Sequence, residues 1–120
     1  PPPRRVLYLI WKKPWMAVSP DTYIARTLAL VGWRTVPEAA QPRYPAIEIT
    51  PALLENLDLV LFSSEPYRFR AADLEDFAHD YGCPLHKLRL IDGEMVSWYG
   101  SRAIQGLAYL ADYADALTDR

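Results

Sequence analysis

Arg5-Val6-Leu7-Tyr8-Leu9-Ile10-Trp11 and Asp58-Leu59-Val60-Leu61-Phe62-Ser63-Ser64 are two near-continuous apolar runs, rich in β-branched and aromatic residues. A strand wetted on one face alternates apolar with polar, whereas a strand covered on both faces has no position left for a polar side chain. Both runs therefore read as buried strands, and each is followed by a loop and then by a helical pattern. After the first, Lys12 to Pro20 holds Pro14 and Pro20 and reads as irregular. Asp21 then caps a helix over 22–31, with Ile24, Thr27, Leu28 and Val31 on one face and Gly32 closing it. After the second run, Glu65 to Phe69 is a loop, Ala71 to Tyr81 an amphipathic helix, and Gly82 its stop.

The rest of the chain fits between and after these units. Arg34 to Val36 reads as a short strand, and 37–49, with three prolines, as a long loop. Thr50 caps a second helix that Pro51 begins. Lys87 to Ile91 is a further short strand ending in an Asp92-Gly93 turn. Residues 101–117 form a long last helix with Ile104, Leu107, Ala108, Leu110 and Ala111 along one stripe. Strands alternating with helices require crossover connections. The expected fold is thus a three-layer α/β sandwich: a central, mostly parallel sheet of about four strands with helices on both faces.

Composition bounds the function. A chain of 120 residues, 51% hydrophobic, fits one domain and not two. Thirteen basic against fifteen acidic residues leave a formal charge of -2, too acidic for generic phosphate-backbone binding, so nucleic acid is not an expected partner. The longest apolar stretch, Val6 to Trp11, is far below a membrane span. The single cysteine, Cys83, excludes an internal disulfide and any CxxC metal knuckle. Pro1-Pro2-Pro3-Arg4 lacks the apolar core of a secretory signal and favours extended geometry, so residues 1–4 read as a residual linker.

In parallel α/β sheets ligands bind where the loops leave the carboxyl ends of the strands. Here those loops carry Trp11, Lys12, Lys13, Trp15 and Met16, then Arg43 and Tyr44, then Glu65, Pro66, Tyr67 and Arg68, and finally Trp98, Tyr99 and Arg102. The return loops carry little of this kind, apart from Trp33. Aromatic rings give contact area for few frozen torsions, and arginine, glutamate and phenol groups add directional hydrogen bonds. Such an edge suits a bulky, partly flat ligand. Trp15, Tyr67 and Trp98, beside Pro or in loops, are expected at this surface, whereas Trp11, at the strand's own end, is expected in the core.

Catalytic chemistry finds less support. His79 and His86 fall at the opposite edge, where His79 serves the dipole of its helix. Cys83, beside Gly82 and Pro84, reads as a buried thiol. Ser63-Ser64 lacks a nucleophile elbow and a histidine on its edge. The five glycines serve helix ends, a turn and one helix interior, so no phosphate cradle remains. No side-chain set has metal-ligand spacing at the aromatic edge, so no resident metal or cofactor is expected, and a metal would arrive inside its ligand.

Trp11-Lys-Lys-Pro-Trp15, Asp21-Thr22 opening a helix that ends Leu30-Val31-Gly32, Arg43-Tyr44-Pro45, Ser64-Glu65-Pro66-Tyr67, and Asp92-Gly93 followed by Ser97-Trp98-Tyr99-Gly100-Ser101-Arg102 resemble, in order and spacing, one known group. It is the carboxyl-terminal lobe of helical-backbone substrate-binding proteins of ABC importers, which bind cobalamin, ferric siderophores and haem. The resemblance covers the whole chain and implies that 5–120 form one lobe of a bilobal receptor, periplasmic or lipid-anchored outside the cytoplasm. Such a receptor captures a metal chelate without chemistry, cobalamin or a ferric siderophore ahead of haem, and delivers it to a permease. By position, Trp15, Tyr44, Glu65, Tyr67, Trp98 and Arg102 would face the interlobe cleft, with Arg43 and Tyr99 beside them and Tyr44 the strongest transfer. The family commonly docks through an acidic residue where this chain has Thr50-Pro51, which leaves Glu48 or Glu55 as substitutes. Two other readings share the aromatic edge: a small α/β enzyme, and a protein-interaction module that would self-associate through its uncovered cleft face.

Overall fold

In the computed structural model, which describes residues 2–39, 42–97 and 102–118, both apolar runs are strands at the centre of a sheet. The element order is β1 (Arg4–Trp11), β2 (Met16–Ala17), α1 (Tyr23–Ala29), β3 (Trp33–Val36), α2 (Pro51–Glu55), β4 (Leu59–Ser63), α3 (Ala71–Tyr81), β5 (Leu88–Ile91), α4 (Gly93–Ser97) and α5 (Ala103–Thr118). β1 pairs in parallel with β4, placing Val6 beside Leu59 and Leu9 beside Phe62. Its other side is shared: β3 runs parallel along Arg4 to Leu7, and β2 antiparallel along Leu9 and Trp11. β5 completes the sheet, parallel to β4.

The continuous apolar run of β1 is explained by two cores. Val6, Tyr8 and Ile10 face α1, α4 and α5 together with Leu59, Leu61, Leu28, Val96, Leu110 and Trp33. Leu7 and Leu9 point the other way, with Val60, Phe62 and Leu88, onto Leu54 of α2 and Phe77 of α3. A period of two thus feeds both faces of the sheet, and all three layers of the expected architecture are present. Each fully buried Leu or Phe here contributes about 1.5–3 kcal/mol through removal from water.

Helix signals act where the sequence places them, with local corrections. α3 spans the expected residues, and Gly82 closes it in the left-handed conformation (φ 62°). Thr50 Oγ1 accepts from Leu53 N at 3.1 Å and caps α2, with Pro51 in its first turn. The cap of α1 is Thr22, not Asp21: Thr22 Oγ1 accepts from Ala25 N at 3.1 Å and donates to Ser19 O. Asp21 stays exposed and pairs with Arg26 instead. Met16 and Ala17, expected to be irregular, form β2 because the chain reverses at Lys13 (φ 57°) and lies back against β1. Arg4, assigned to the linker, already pairs with Trp33.

Two corrections concern the carboxyl-terminal third. The Asp92-Gly93 turn is the start of a helix, since Asp92 Oδ1 accepts from Glu94 N at 3.0 Å and Met95 N at 3.2 Å. The buried stripe of α5 is Gly106, Leu110 and Ala114, supported by Tyr109, Tyr113 and Leu117. Of the stripe read from sequence only Leu110 is buried, and Ile104 is 79% exposed. The helix is apolar on two sides, and its tyrosines decide between them. Tyr113 packs edge-on against Trp33 and donates to Leu90 O at 2.6 Å, and Tyr109 Oη accepts from Asp92 N at 3.0 Å.

Candidate functional site

The loops leaving β1, β4 and β5 meet at the carboxyl edge of the sheet. The segment around Arg43 to Ile47 is laid along the one around Trp15 to Ser19 by main-chain hydrogen bonds: Ser19 N to Arg43 O (2.8 Å), Ala17 N to Pro45 O (3.0 Å) and Ile47 N to Trp15 O (2.9 Å). This ladder carries Tyr44, from a loop distant in sequence, to Met16 and the end of β1. Tyr67 N bonds Ile10 O at 3.2 Å and fixes the loop after β4 on the other side.

Between these loops lies an open apolar groove of about 560 Å³, lined by Ile10, Trp11, Met16, Ile24, Tyr44 and Pro66, with Glu65 and Ser97 at its polar margin. Trp11 and Tyr44 are 40% and 47% exposed, large rings left facing solvent. A second groove of about 610 Å³ follows the ends of β4 and β5 and is polar, with Ser64, Arg68, Arg70, Asp92, Glu94 and Tyr109 in its wall. Glu65 belongs to both linings.

Glu65 is held by a buried chain of hydroxyls. Tyr8 Oη donates to Ser63 Oγ at 3.1 Å, and Ser63 Oγ donates to Glu65 O at 2.8 Å while accepting from Glu65 N at 3.3 Å. Burial pushes the Tyr8 phenol well above its ordinary range, against the opposing pull of the Ser63 hydrogen bond, so it remains a donor throughout the physiological range. Gly93 closes the arrangement. A Cβ there would collide with Ser63 Oγ and come within 3.1 Å of Glu65 Cγ. Ser64 Oγ accepts from Gly93 N at 2.9 Å, so both serines are engaged in structure, in keeping with the absence of a nucleophile elbow.

The residues singled out in the sequence separate into groups. Tyr44 and Glu65 line the apolar groove. Tyr67 stands one ring behind it, edge-on to Trp11 at 5.5 Å and tilted against Phe69 at 4.5 Å. Lys12 Nζ lies 5.3 Å from the centre of the Tyr67 ring and bonds Asp73 Oδ1 at 2.7 Å. That bond holds the Lys12 ammonium above its ordinary pKa. Partial burial works to raise the Asp73 pKa, but the bonds from Lys12 and from Arg70 N outweigh it and leave the carboxyl low. Arg43 and Arg102 are exposed outside the linings, Arg102 4.0 Å from Glu94. Trp98 and Tyr99 lie outside the described residues.

Trp15 and Trp11 exchange the roles expected of them. Trp15 is a loop anchor: it stacks on Phe69 at 6.2 Å, meets Phe77 edge-on at 5.3 Å, and donates from Nε1 to Tyr81 Oη at 2.8 Å. Partly buried, it packs against the core between the sheet and α3 and is not part of the apolar groove's lining. Trp11 reaches the groove as the last residue of β1, past the final β1–β4 pair at Leu9–Phe62, where only Met16 of β2 pairs with it, after an irregularity in the register. Trp33, read from sequence as a return-loop aromatic, is the first residue of β3 and is fully buried. Met16 was among the residues on the strand exits but not among those expected to face a ligand, and Ile24, read as part of a helix's buried face, has nothing in its local pattern that distinguishes it from a core residue.

The other reactive side chains stand apart. Cys83 is buried, and that burial raises its thiol pKa against the weaker pull of Lys87, a setting that disfavours the thiolate. His79 and His86 are exposed at the opposite edge. Among the described residues no cluster of His, Cys, Asp and Glu could hold a metal, and no helix is long and apolar enough to cross a membrane.

No protein-family model and no curated protein sequence matches the chain. Solved structures do. A possible iron-binding periplasmic solute-binding protein of Staphylococcus epidermidis superimposes with a TM-score of 0.70 at 18% identity, over 92% of this chain and 44% of that one. The periplasmic heme binding protein HutB of Vibrio cholerae gives 0.67 at 18% identity, over 94% and 48%. The periplasmic vitamin B12 binding protein BtuF of Vibrio cholerae gives 0.66 at 14%, over 98% and 46%. The chain thus has the α/β fold found in these periplasmic binding proteins, and it spans about half the length of each.

Proposed function

We propose that residues 4–120 are the carboxyl-terminal lobe of a bilobal, extracytoplasmic substrate-binding protein of an ABC importer, with 1–3 as the linker into it. The lobe supplies one wall of a cleft that captures a metal chelate, a corrinoid or ferric siderophore ahead of haem, and hands it unchanged to a permease. The observation that carries this reading is the apolar groove at the carboxyl edge, where Trp11 and Tyr44 present their rings to solvent beside Glu65. Parallel α/β sheets bind ligands at this edge, and exposed rings held by a main-chain ladder form a preorganised surface for a flat or bulky ligand. The fold similarity to solved binding proteins for vitamin B12 and heme supports the same class. The tethering of Ser63 and Ser64 and the burial of Cys83 favour binding over turnover.

Equilibrium dialysis tests the proposal, using the chain and the two-lobed protein in which the proposal places it. The probes are cyanocobalamin, ferrioxamine B, a ferric tris-catecholate and haem. One class should be retained, more weakly by the lobe, because contact area is halved while the association entropy remains. Trp11→Ala and Tyr44→Ala should each weaken retention by about tenfold, as expected for an aromatic contact near the centre of a site. Retention of nothing by the folded two-lobed protein would refute the proposal. Concentration-dependent dimerisation of the lobe abolished by Trp11→Ala, with no chelate bound, would make the groove a protein contact instead.

A further inference from the structure

We infer that Glu65 makes the groove select by charge, admitting neutral or cationic chelates that present N–H or O–H donors and turning away anionic ones. This rests on the chelate-binding reading and goes beyond it, because that reading leaves open corrinoids, siderophores and haem, whose charges differ in sign. Among the described residues that line the apolar groove, Glu65 is the sole acidic or basic side chain. The adjoining polar groove offers an anion no better site: Asp92 and Glu94 join Glu65 there against Arg68 and Arg70, and the nearby Arg102 lies 4.0 Å from Glu94.

The placement of Glu65 is costly to build, which argues against an incidental surface charge. A buried tyrosine hydroxyl and a buried serine are committed to its main chain on both sides, through Ser63 Oγ to Glu65 O and from Glu65 N. Position 93 is a glycine where a Cβ would strike Ser63 Oγ and crowd Glu65 Cγ. The side chain therefore leaves from a fixed backbone at the boundary of both grooves. A ligand lying on Trp11 and Tyr44 sets its periphery against this carboxylate. An amide or amine there gains a charge-assisted hydrogen bond, while a carboxylate or catecholate meets repulsion in a setting of reduced dielectric.

Two ligand series separate charge from shape: ferrioxamine B with its free amine, its N-acetyl and its N-succinyl derivative, and cyanocobalamin with its monocarboxylate hydrolysis product. Dialysis of the two-lobed protein at low and high salt should rank amine above acetyl above succinyl, or amide above carboxylate. Each unit of ligand charge should change affinity roughly fivefold at low salt and less at high salt. Glu65→Gln should flatten the ranking to within about twofold, and Glu65→Lys should reverse it. An unchanged ranking in Glu65→Gln, equal affinities within a series, or retention of only the tris-catecholate or haem would overturn the inference while leaving a chelate receptor in place. Retention of no chelate at all would overturn both.

Discussion

The hydroxyl chain from Tyr8 through Ser63 to Glu65 sets up a double-mutant cycle with a definite sign. Tyr8→Phe removes one buried donor, but Ser63 keeps both of its bonds to the Glu65 main chain, so the loss should be about 1 kcal/mol. Ser63→Ala costs more. It removes the bonds to Glu65 and strands the Tyr8 hydroxyl, which has no exposure to water, for about 3 kcal/mol in all. In the double variant no hydroxyl is left stranded, and the loss should fall to about 2 kcal/mol. The two changes are therefore less than additive, with a coupling of about 2 kcal/mol, well outside the roughly 0.5 kcal/mol scatter of independent sites. Urea unfolding followed by tryptophan fluorescence reads all four corners, and an unchanged m value keeps the comparison valid. Additive losses would show that the Tyr8 phenol finds another partner and that the support assigned to Glu65 is not a connected unit.

Three further outcomes follow from the packing. Asp73→Asn should cost about 1 kcal/mol at neutral pH. Because the folded Asp73 pKa lies below its unfolded value, that advantage should vanish as pH falls through the folded value; because the Lys12 pKa is raised, it should also vanish as pH rises through the Lys12 value. Thermal unfolding of both proteins across the pH range reads the difference, and a constant gap down to the acid limit would contradict the pairing. Trp15→Ala should cost about 3 kcal/mol in urea unfolding, since its ring fills the space between Phe69 and Phe77, whereas Trp11→Ala should cost under about 1 kcal/mol. Equal losses would undo the exchange of roles between the two tryptophans. Gly93→Ala should destabilise by about 1–3 kcal/mol, because the added methyl group meets Ser63 Oγ, and a stability within about 0.5 kcal/mol of the parent would show that α4 shifts freely.

The sheet was legible because β1 and β4 must satisfy two cores at once, which leaves an unbroken apolar run that few other structures require. α3 was legible to its last residue because Gly82 supplies a left-handed stop. What local pattern did not carry was choice among equals. α5 has two apolar sides, and the buried one was selected by contacts of Tyr109 and Tyr113 with a strand at least 17 positions away in sequence. Trp11 and Trp15 are the same residue type in the same loop region. Their roles were decided by where the β4 ladder stops and by where the Tyr81 hydroxyl lies. Among the residues lining the apolar groove, Tyr44 and Glu65 stand on strand exits, which the topology fixes. Met16 shares that position, whereas Ile24 was legible only as a core residue, because a groove wall and a core face have the same hydrophobic signature.

The tyrosines of α5 also govern what the sheet can do at its boundary. Along the outer side of β5, Arg89 Nη1 donates to Leu88 O at 2.9 Å, Tyr113 Oη donates to Leu90 O and Tyr109 Oη accepts from Asp92 N. A boundary strand normally offers such groups to any extended peptide that approaches, and here the molecule consumes them with its own side chains. Strand addition at β5 would first have to displace the α5 tyrosines, so the helix guards this edge against edge-to-edge polymerisation.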